Sequence, residues 1–269
     1  MNIKYFIRNL KTANRITKNY THTIRYLILN YEKRLRAVFN LKSTIQISYR
    51  FPEPIGEINL LQRLNSGSDN YIFSEVFIDK CYDIDLLSTP EKILDLGANV
   101  GYSSIYFKKK YPSARVACVE PIEENLSILK QNIELNSLSI KVLEAAVSST
   151  AGLVHMEKGT KDYNYVVTNN QKDNSVVVQA LTIDQILCTL GWDTIDLIKI
   201  DIEGSEKELF SKNTEWLYKV NNLIIEAHFP IFTENDIKYL VREYDFAEYS
   251  IINGLFFLQR ANQNKVDVY

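Results

Sequence analysis

The chain has 269 residues, 46% of them hydrophobic, and a net charge of −2, which suits one large domain or a domain with an extension and indicates no general affinity for nucleic acid. Its three cysteines (Cys81, Cys118, Cys188) lie far apart with no C-x-x-C pair, so they read as small buried residues of a reducing compartment rather than a disulfide frame or zinc site. No apolar run is long enough for a transmembrane helix and no secretory leader is visible, so the expected location is cytoplasmic.

Residues 1–50 carry eleven Lys/Arg against a single acid, Glu32. Ile3, Phe6, Ile7 and Leu10, then Ile24, Leu27, Ile28, Tyr31, Leu35 and Val38, fall at helical spacing. Residues 1–60 thus form a basic, mainly helical extension. It suits a peripheral membrane contact, self-association, or simple packing on the domain's own acidic side. Ile45–Phe51 alternates like a strand that Pro52 and Pro54 end. Residues 61–269 form the main domain. Within 66–83 a turn precedes a helix capped by Asp69 that buries Ile72, Phe73, Val76 and Phe77 and would form a lid.

Ile93-Leu94-Asp95-Leu96-Gly97-Ala98-Asn99-Val100-Gly101 reads as a buried strand ending in a glycine turn. The glycines would let the backbone approach a ligand, and the helix from Tyr102 and Ser103 would turn its first N–H groups towards it. A second strand, 115–119, ends at Glu120, nineteen residues after Gly101 and well placed for the two hydroxyls of a ribose. A dinucleotide site prefers a third glycine, and Asp95 would repel a pyrophosphate. The same acid would attract the ammonium group of S-adenosylmethionine (SAM), which fits the charge pattern better.

Pro121 follows, with Glu123 and Glu124 opening a helix to about Leu135. Ile140–Ala145 is the third strand, where Glu144 would meet the adenine amino group and Ala145 make room for the ring. Residues 152–181 alternate and carry turn formers, so they read as an inserted β-rich segment that includes His155. Thr182 caps a helix to about Leu190. In Leu197-Ile198-Lys199-Ile200-Asp201-Ile202-Glu203, an extended chain would point Lys199, Asp201 and Glu203 the same way at the ligand-binding end of the sheet. Asn222–Glu226 is a fifth strand that delivers Glu226 and His228 to the same edge. Thr233 caps a helix to about Tyr244, and Asn253-Gly254 joins Phe246–Ile252 to Leu255–Gln259 as a hairpin.

Leu94–Ser104, Val119-Glu120-Pro121 with Asn125, Ala145-Ala146-Val147, Leu181–Asp184, Asp196–Glu206 and Ile225–His228 together resemble the FkbM-type SAM-dependent methyltransferases, of the class I fold, over roughly residues 66–260. The resemblance implies a Rossmann-like, doubly wound, seven-stranded sheet whose last strand is antiparallel. It also implies methyl transfer, usually to a hydroxyl of a sugar, glycan or secondary metabolite, and in some relatives to a side-chain nitrogen of a peptide. By that pattern Asp95, Gly97, Asn99 and Gly101 hold the methionine end, Glu120 the ribose, and Asp201 lies between cofactor and acceptor.

A hydroxyl is a poor nucleophile, so a base or a metal should share its proton. His228 is the candidate base, with Asp201 or Glu203 as its partner or as an alternative base. Asp201, Glu203 and Glu226 would instead suit Mg²⁺. Lys199 is expected to neutralise the acids. No Asn-Pro-Pro-Tyr-like element for a flipped base is present.

Overall fold

A computed structural model describes residues 3–31, 44–64, 68–158, 165–168 and 175–260. Glu32, Leu35, Val38, Ser66-Gly67 and the turn formers Gly159-Thr160, Asn169-Asn170 and Asp173-Asn174 lie outside the described residues. The basic segment forms α1 (Ile3–Ile16) and α2 (Tyr20–Asn30), followed by an antiparallel hairpin of β1 (Thr44–Arg50) and β2 (Glu57–Arg63). The expected boundary at residue 60 therefore falls inside a strand.

Helix α3 (Ser68–Phe73) runs on into a π turn at Ser74–Ile78. Asp69 is not its cap: it sits in the first turn, fully buried, and serves the Arg63 side chain instead. The strand–glycine turn–helix unit comprises β3 (Lys92–Leu96), α4 (Tyr102–Lys110), β4 (Arg115–Val119), α5 (Glu123–Leu135) and β5 (Ile140–Leu143). The third strand is shorter than expected, because the chain leaves the main sheet there. β6 (Ala146–Val147) pairs with β9 (Ser175–Leu181), and β7 (Gly152–Lys158) and β8 (Tyr165–Thr168) complete a small sheet of order β6-β9-β7-β8.

The chain then returns through α6 (Ile183–Leu190), β10 (Leu197–Ile200), α7 (Glu206–Leu209), β11 (Asn222–Ile225), α8 (Glu234–Glu243), β12 (Phe246–Ile252) and β13 (Leu255–Arg260). Thr182 and Thr233 cap α6 and α8 through complete capping boxes. The main sheet has seven strands in the order β12-β13-β11-β10-β3-β4-β5. The pairs from β11 to β5 are parallel, and β13 runs antiparallel to both its neighbours. This is the doubly wound α/β sheet with an antiparallel last strand that the sequence predicts.

Both faces of the sheet are covered, so its central strands read as continuous apolar runs. Leu94, Leu96, Ile198, Ile200, Leu223 and Ile225 face Ile186, Trp216 and Leu240 on one side. On the other, Ile93 and Leu197 share a core with Tyr102, Ile105, Ile47, Leu60, Ala13, Ile16, Tyr26 and Leu29. The extension is thus built into the domain's own core. Two asparagines one helical turn apart, Asn132 on α5 and Asn136 at its C-terminal cap, fasten β2: Asn132 Oδ1 accepts from the Leu61 N–H at 2.7 Å, and Asn136 Oδ1 from the Asn59 N–H at 2.8 Å. Side-chain amides thus take the place of a neighbouring strand along that edge. Cys81 and Cys118 are buried, but Cys188 is exposed, contrary to expectation. Among the described residues no helix is long and apolar enough to cross a membrane.

Candidate active site

The glycine turn after β3 is shaped by its protein neighbours. Gly97 has φ +75°, and a Cβ there would stand 1.8 Å from the carbonyl oxygen of Asp201. The close approach it permits is that of the β10 exit, while the residue also lines the cavity. Gly101 (φ +87°) starts α4 against Leu129, whose Cγ a Cβ would meet at 3.1 Å, and unlike Gly97 it is off the cavity wall. The Gly97 and Ala98 N–H groups both donate to Val119 O, at 3.0 and 3.1 Å, which ties the turn to β4.

Below the turn Asp95 is fully buried. Its Oδ2 accepts from Ser103 Oγ at 2.6 Å and Ser104 Oγ at 2.5 Å, while Lys199 Nζ lies 3.2 Å from Oδ1. Lys199 and Asp95 are register partners on adjacent strands. Lys199 also donates to Gly97 O at 2.8 Å and lies 3.4 Å from Asp201, so it neutralises acids on both strands, as expected. Burial works against its charge, yet Asp95 and Asp201 outweigh that and raise its pKa. Asp95 therefore stands behind the wall, its charge met by Lys199.

The cavity above this layer has a volume of about 410 Å³. Gly97, Ala98, Asn99, Ser103, Glu120, Pro121, Ile122 and Asn125 form one side of it, and Ala145, Ala146 and Val147 close its end. Lys199, Asp201, Glu203, Glu226 and His228 form the floor, while Tyr71, Ile72, Glu75, Val76 and the turn Asn253–Leu255 make the far wall. The α3 segment thus does lie over the cavity. Two further predicted contacts do not reach it. Tyr102 is a core residue, its ring against Phe77 and its hydroxyl 3.4 Å from Leu61 O. Glu144 is exposed and paired with Lys130 at 2.8 Å, because the chain has already left β5 and turned outward.

Glu120 is held from three directions. Oε2 accepts from the Asn99 N–H at 2.9 Å, and Oε1 accepts from the Ile122 N–H and Asn125 Nδ2, each at 3.0 Å. Burial raises its pKa, and those three bonds partly offset the rise. Sequence reasoning missed what lies behind Asn125. Arg63 Nη1 donates to Asn125 Oδ1 at 2.9 Å, which orients the amide so that its NH₂ faces Glu120. Arg63 is itself clamped by Asp69, with Nη2 donating to Oδ1 at 2.7 Å and the backbone N–H to Oδ2 at 2.8 Å. The hairpin and α3 thereby orient the Glu120 carboxylate.

On the floor, β10 ends at Ile200, and the chain turns at Glu203 (φ +55°) and Gly204 (φ +94°). The expected extension through 203 therefore fails, although Lys199, Asp201 and Glu203 still converge on the cavity. His228 Nδ1 lies 3.0 Å from Glu206 Oε1, and Nε2 lies 3.4 Å from Glu203 and 3.9 Å from Asp201. Both ring nitrogens face carboxylates. Burial would lower its pKa, but the bonds to Glu203 and Glu206 prevail and push it up to about 11. With no cation between the ring and these acids, the charged imidazolium is favoured at neutral pH. Glu226 is pushed up to about 8, first by the charge of Asp201 and then by burial, and burial also raises Asp201. The described residues whose ligand atoms group as around a cation are Asp201, Glu203 and His228; the expected member Glu226 is not among them.

Residues 95–250 match the family model described as Methyltransferase FkbM domain. Among curated proteins, the chain is similar to Methyltransferase sdnD of Sordaria araneosa, with 29% identity over 210 residues, 65% of this chain and 81% of that one. It is also similar to 31-O-demethyl-FK506 methyltransferase FkbM of Streptomyces tacrolimicus, with 21% identity over 201 residues, 61% and 76% of the two chains. Among solved structures, Methyltransferase FkbM from Methylobacillus flagellatus KT aligns with a TM-score of 0.47 and 18% identity, covering 96% of this chain, which spans 60% of that protein's length.

Proposed function

The chain belongs to the FkbM family of SAM-dependent methyltransferases, and from that premise we propose that it methylates a hydroxyl oxygen of a sugar, glycan or secondary metabolite. The observation that carries this reading is the set of carboxylates beside the cofactor loop. A methyl sulfonium is already activated, so the protein mainly aligns acceptor oxygen, methyl carbon and sulfur. What a hydroxyl still needs is a proton acceptor, and a cavity floor rich in Asp and Glu supplies one. A relative whose name specifies a 31-O position adds support.

In this reading the ribose hydroxyls lie against Glu120, the methionine end against the Gly97–Asn99 turn and Ser103, and the adenine beside Pro121, Ala145 and Ala146. Asp95 acts at one remove, by holding Lys199 and the first turn of α4. Glu226 takes the proton in its ionised form, where a pKa pushed up to about 8 makes it a stronger base than an ordinary glutamate. The O–H bond breaks towards Glu226, the oxygen attacks the methyl carbon, and the C–S bond breaks to leave a neutral thioether. Asp201 borders both halves of the cavity. The test is S-adenosylhomocysteine release in the presence of matched hydroxyl- and amine-bearing acceptors. Turnover confined to the amines would reject the oxygen reading in favour of nitrogen methylation.

A further inference from the structure

We propose that Asp201, Glu203 and His228 form a binding site for one divalent transition-metal ion, with Glu206 as the residue that positions the histidine. The three ligand atoms lie within 4.8 Å of one another and come from two adjacent strand ends, Asp201 and Glu203 after β10 and His228 after β11. The Nε2 distances to the carboxylates are 3.4 and 3.9 Å. Ligands set at a tetrahedral angle around an ion bonded at roughly 2.1 Å stand about 3.4 Å apart. The Glu203 spacing matches that value, and Asp201, at 3.9 Å, stands 0.5 Å beyond it.

A second observation comes from behind the ring. Glu206 is completely buried; its Oε1 meets His228 Nδ1 at 3.0 Å, and its Oε2 has no hydrogen-bond partner. A carboxylate holding the outer nitrogen of an imidazole fixes its tautomer and turns the lone pair of the other nitrogen towards the ligand side, as metal-binding histidines require. Here that nitrogen faces two acids. Asp201, Glu203 and Glu206 all stand around the one imidazole, and Lys199 is already shared with Asp95. Two oxygens and one imidazole nitrogen favour Mn²⁺, Fe²⁺ or Zn²⁺ over Mg²⁺, which prefers an all-oxygen shell.

All three ligands line the cavity, so the open coordination positions face the acceptor. A hydroxyl bound there would lose its proton more readily. This last step rests on the methyl-transfer reading; the metal site itself does not.

The experiment titrates chelator-treated full-length protein with MnCl₂ and follows the electron paramagnetic resonance signal of free Mn²⁺. Wild type should remove one equivalent. Glu203→Gln and His228→Gln should each weaken binding at least tenfold, and Glu206→Gln about 10- to 100-fold as an outer-shell change. Glu123→Gln, on the exposed start of α5, should leave it unchanged. SAM affinity measured on the same samples reports folding and tests the cofactor reading separately. Samples that bind SAM but no Mn²⁺, or whose Mn²⁺ binding is indifferent to the Glu203 and His228 changes, overturn the metal site and leave the methyltransferase reading standing.

Discussion

Arg63 is the sharpest test of the idea that the N-terminal hairpin sets up the cofactor pocket. It is 15% exposed and its partner Asp69 is 0% exposed, so Arg63→Met alone strands a buried carboxylate. Stranding one partner of a buried pair costs about 3–5 kcal/mol. In a domain of this size each kcal/mol lowers the melting temperature by about 2–4 °C, so a fall on the order of 10 °C is expected. Adding Asp69→Asn removes the stranded charge, while the new amide oxygen still accepts the Arg63 backbone N–H. Most of the stability should return. The cofactor defect should not, since Asn125 has lost the guanidinium that orients it towards Glu120. A charge-assisted hydrogen bond contributes about 1.5–3 kcal/mol, and if half of that reaches Glu120 the SAM affinity falls about tenfold. Thermal melting and calorimetric SAM titration of wild type, both single variants and the double variant separate the two effects. A double variant that melts near wild type and binds SAM with unchanged affinity refutes the positioning role.

Gly97→Ala forces a Cβ 1.8 Å from Asp201 O and should yield little folded protein, whereas Gly191→Ala, at φ +63° in open space, should cost only about 1–2 kcal/mol in a melting experiment. Glu120→Gln turns an amide NH₂ towards N–H donors and should weaken SAM binding by an order of magnitude or more, read by calorimetry. Glu226→Gln should reduce the methyl-transfer rate about 10²- to 10⁴-fold while SAM affinity stays within about twofold of wild type. Removing residues 1–30 uncovers the core around Tyr49 and Phe73, so that truncation should aggregate in size-exclusion chromatography, whatever the basic face of α1 binds.

The β3–α5 half of the sheet was legible because its signals are local. Apolar runs, two glycines, an acid after the second strand and the Glu123–Leu135 helix all declare themselves within 45 residues. The Thr182 and Thr233 caps and the Asn253-Gly254 hairpin are equally short-range. The reason for Gly97 was not legible: the atom it accommodates belongs to Asp201, brought alongside only by β3–β10 pairing. Strand β2 went unread because its edge partners are the asparagines of α5, 71 and 77 positions away. Arg63 and Asp69 look like ordinary surface charges until Asn125, 62 residues from Arg63, closes over them. His228 carries the same lesson. Its chemistry depends on a buried Glu206 that no spacing rule ties to it.

The far wall of the cavity has a consequence for how such enzymes diverge. Asn253 Nδ2 donates to Lys80 O at 3.3 Å, so the β12–β13 turn is tied to the segment that follows the α3 lid. Neither stretch contributes to the glycine turn, Glu120 or the Asp95–Lys199 layer. On the methyl-transfer reading, changes at the cavity-facing positions Tyr71, Ile72, Glu75, Asn253 and Gly254 should retune which acceptor is admitted while the methyl-donor machinery stays under separate constraint. A library confined to those two stretches, varied together because they are bonded to each other, is the economical route to altered acceptor preference.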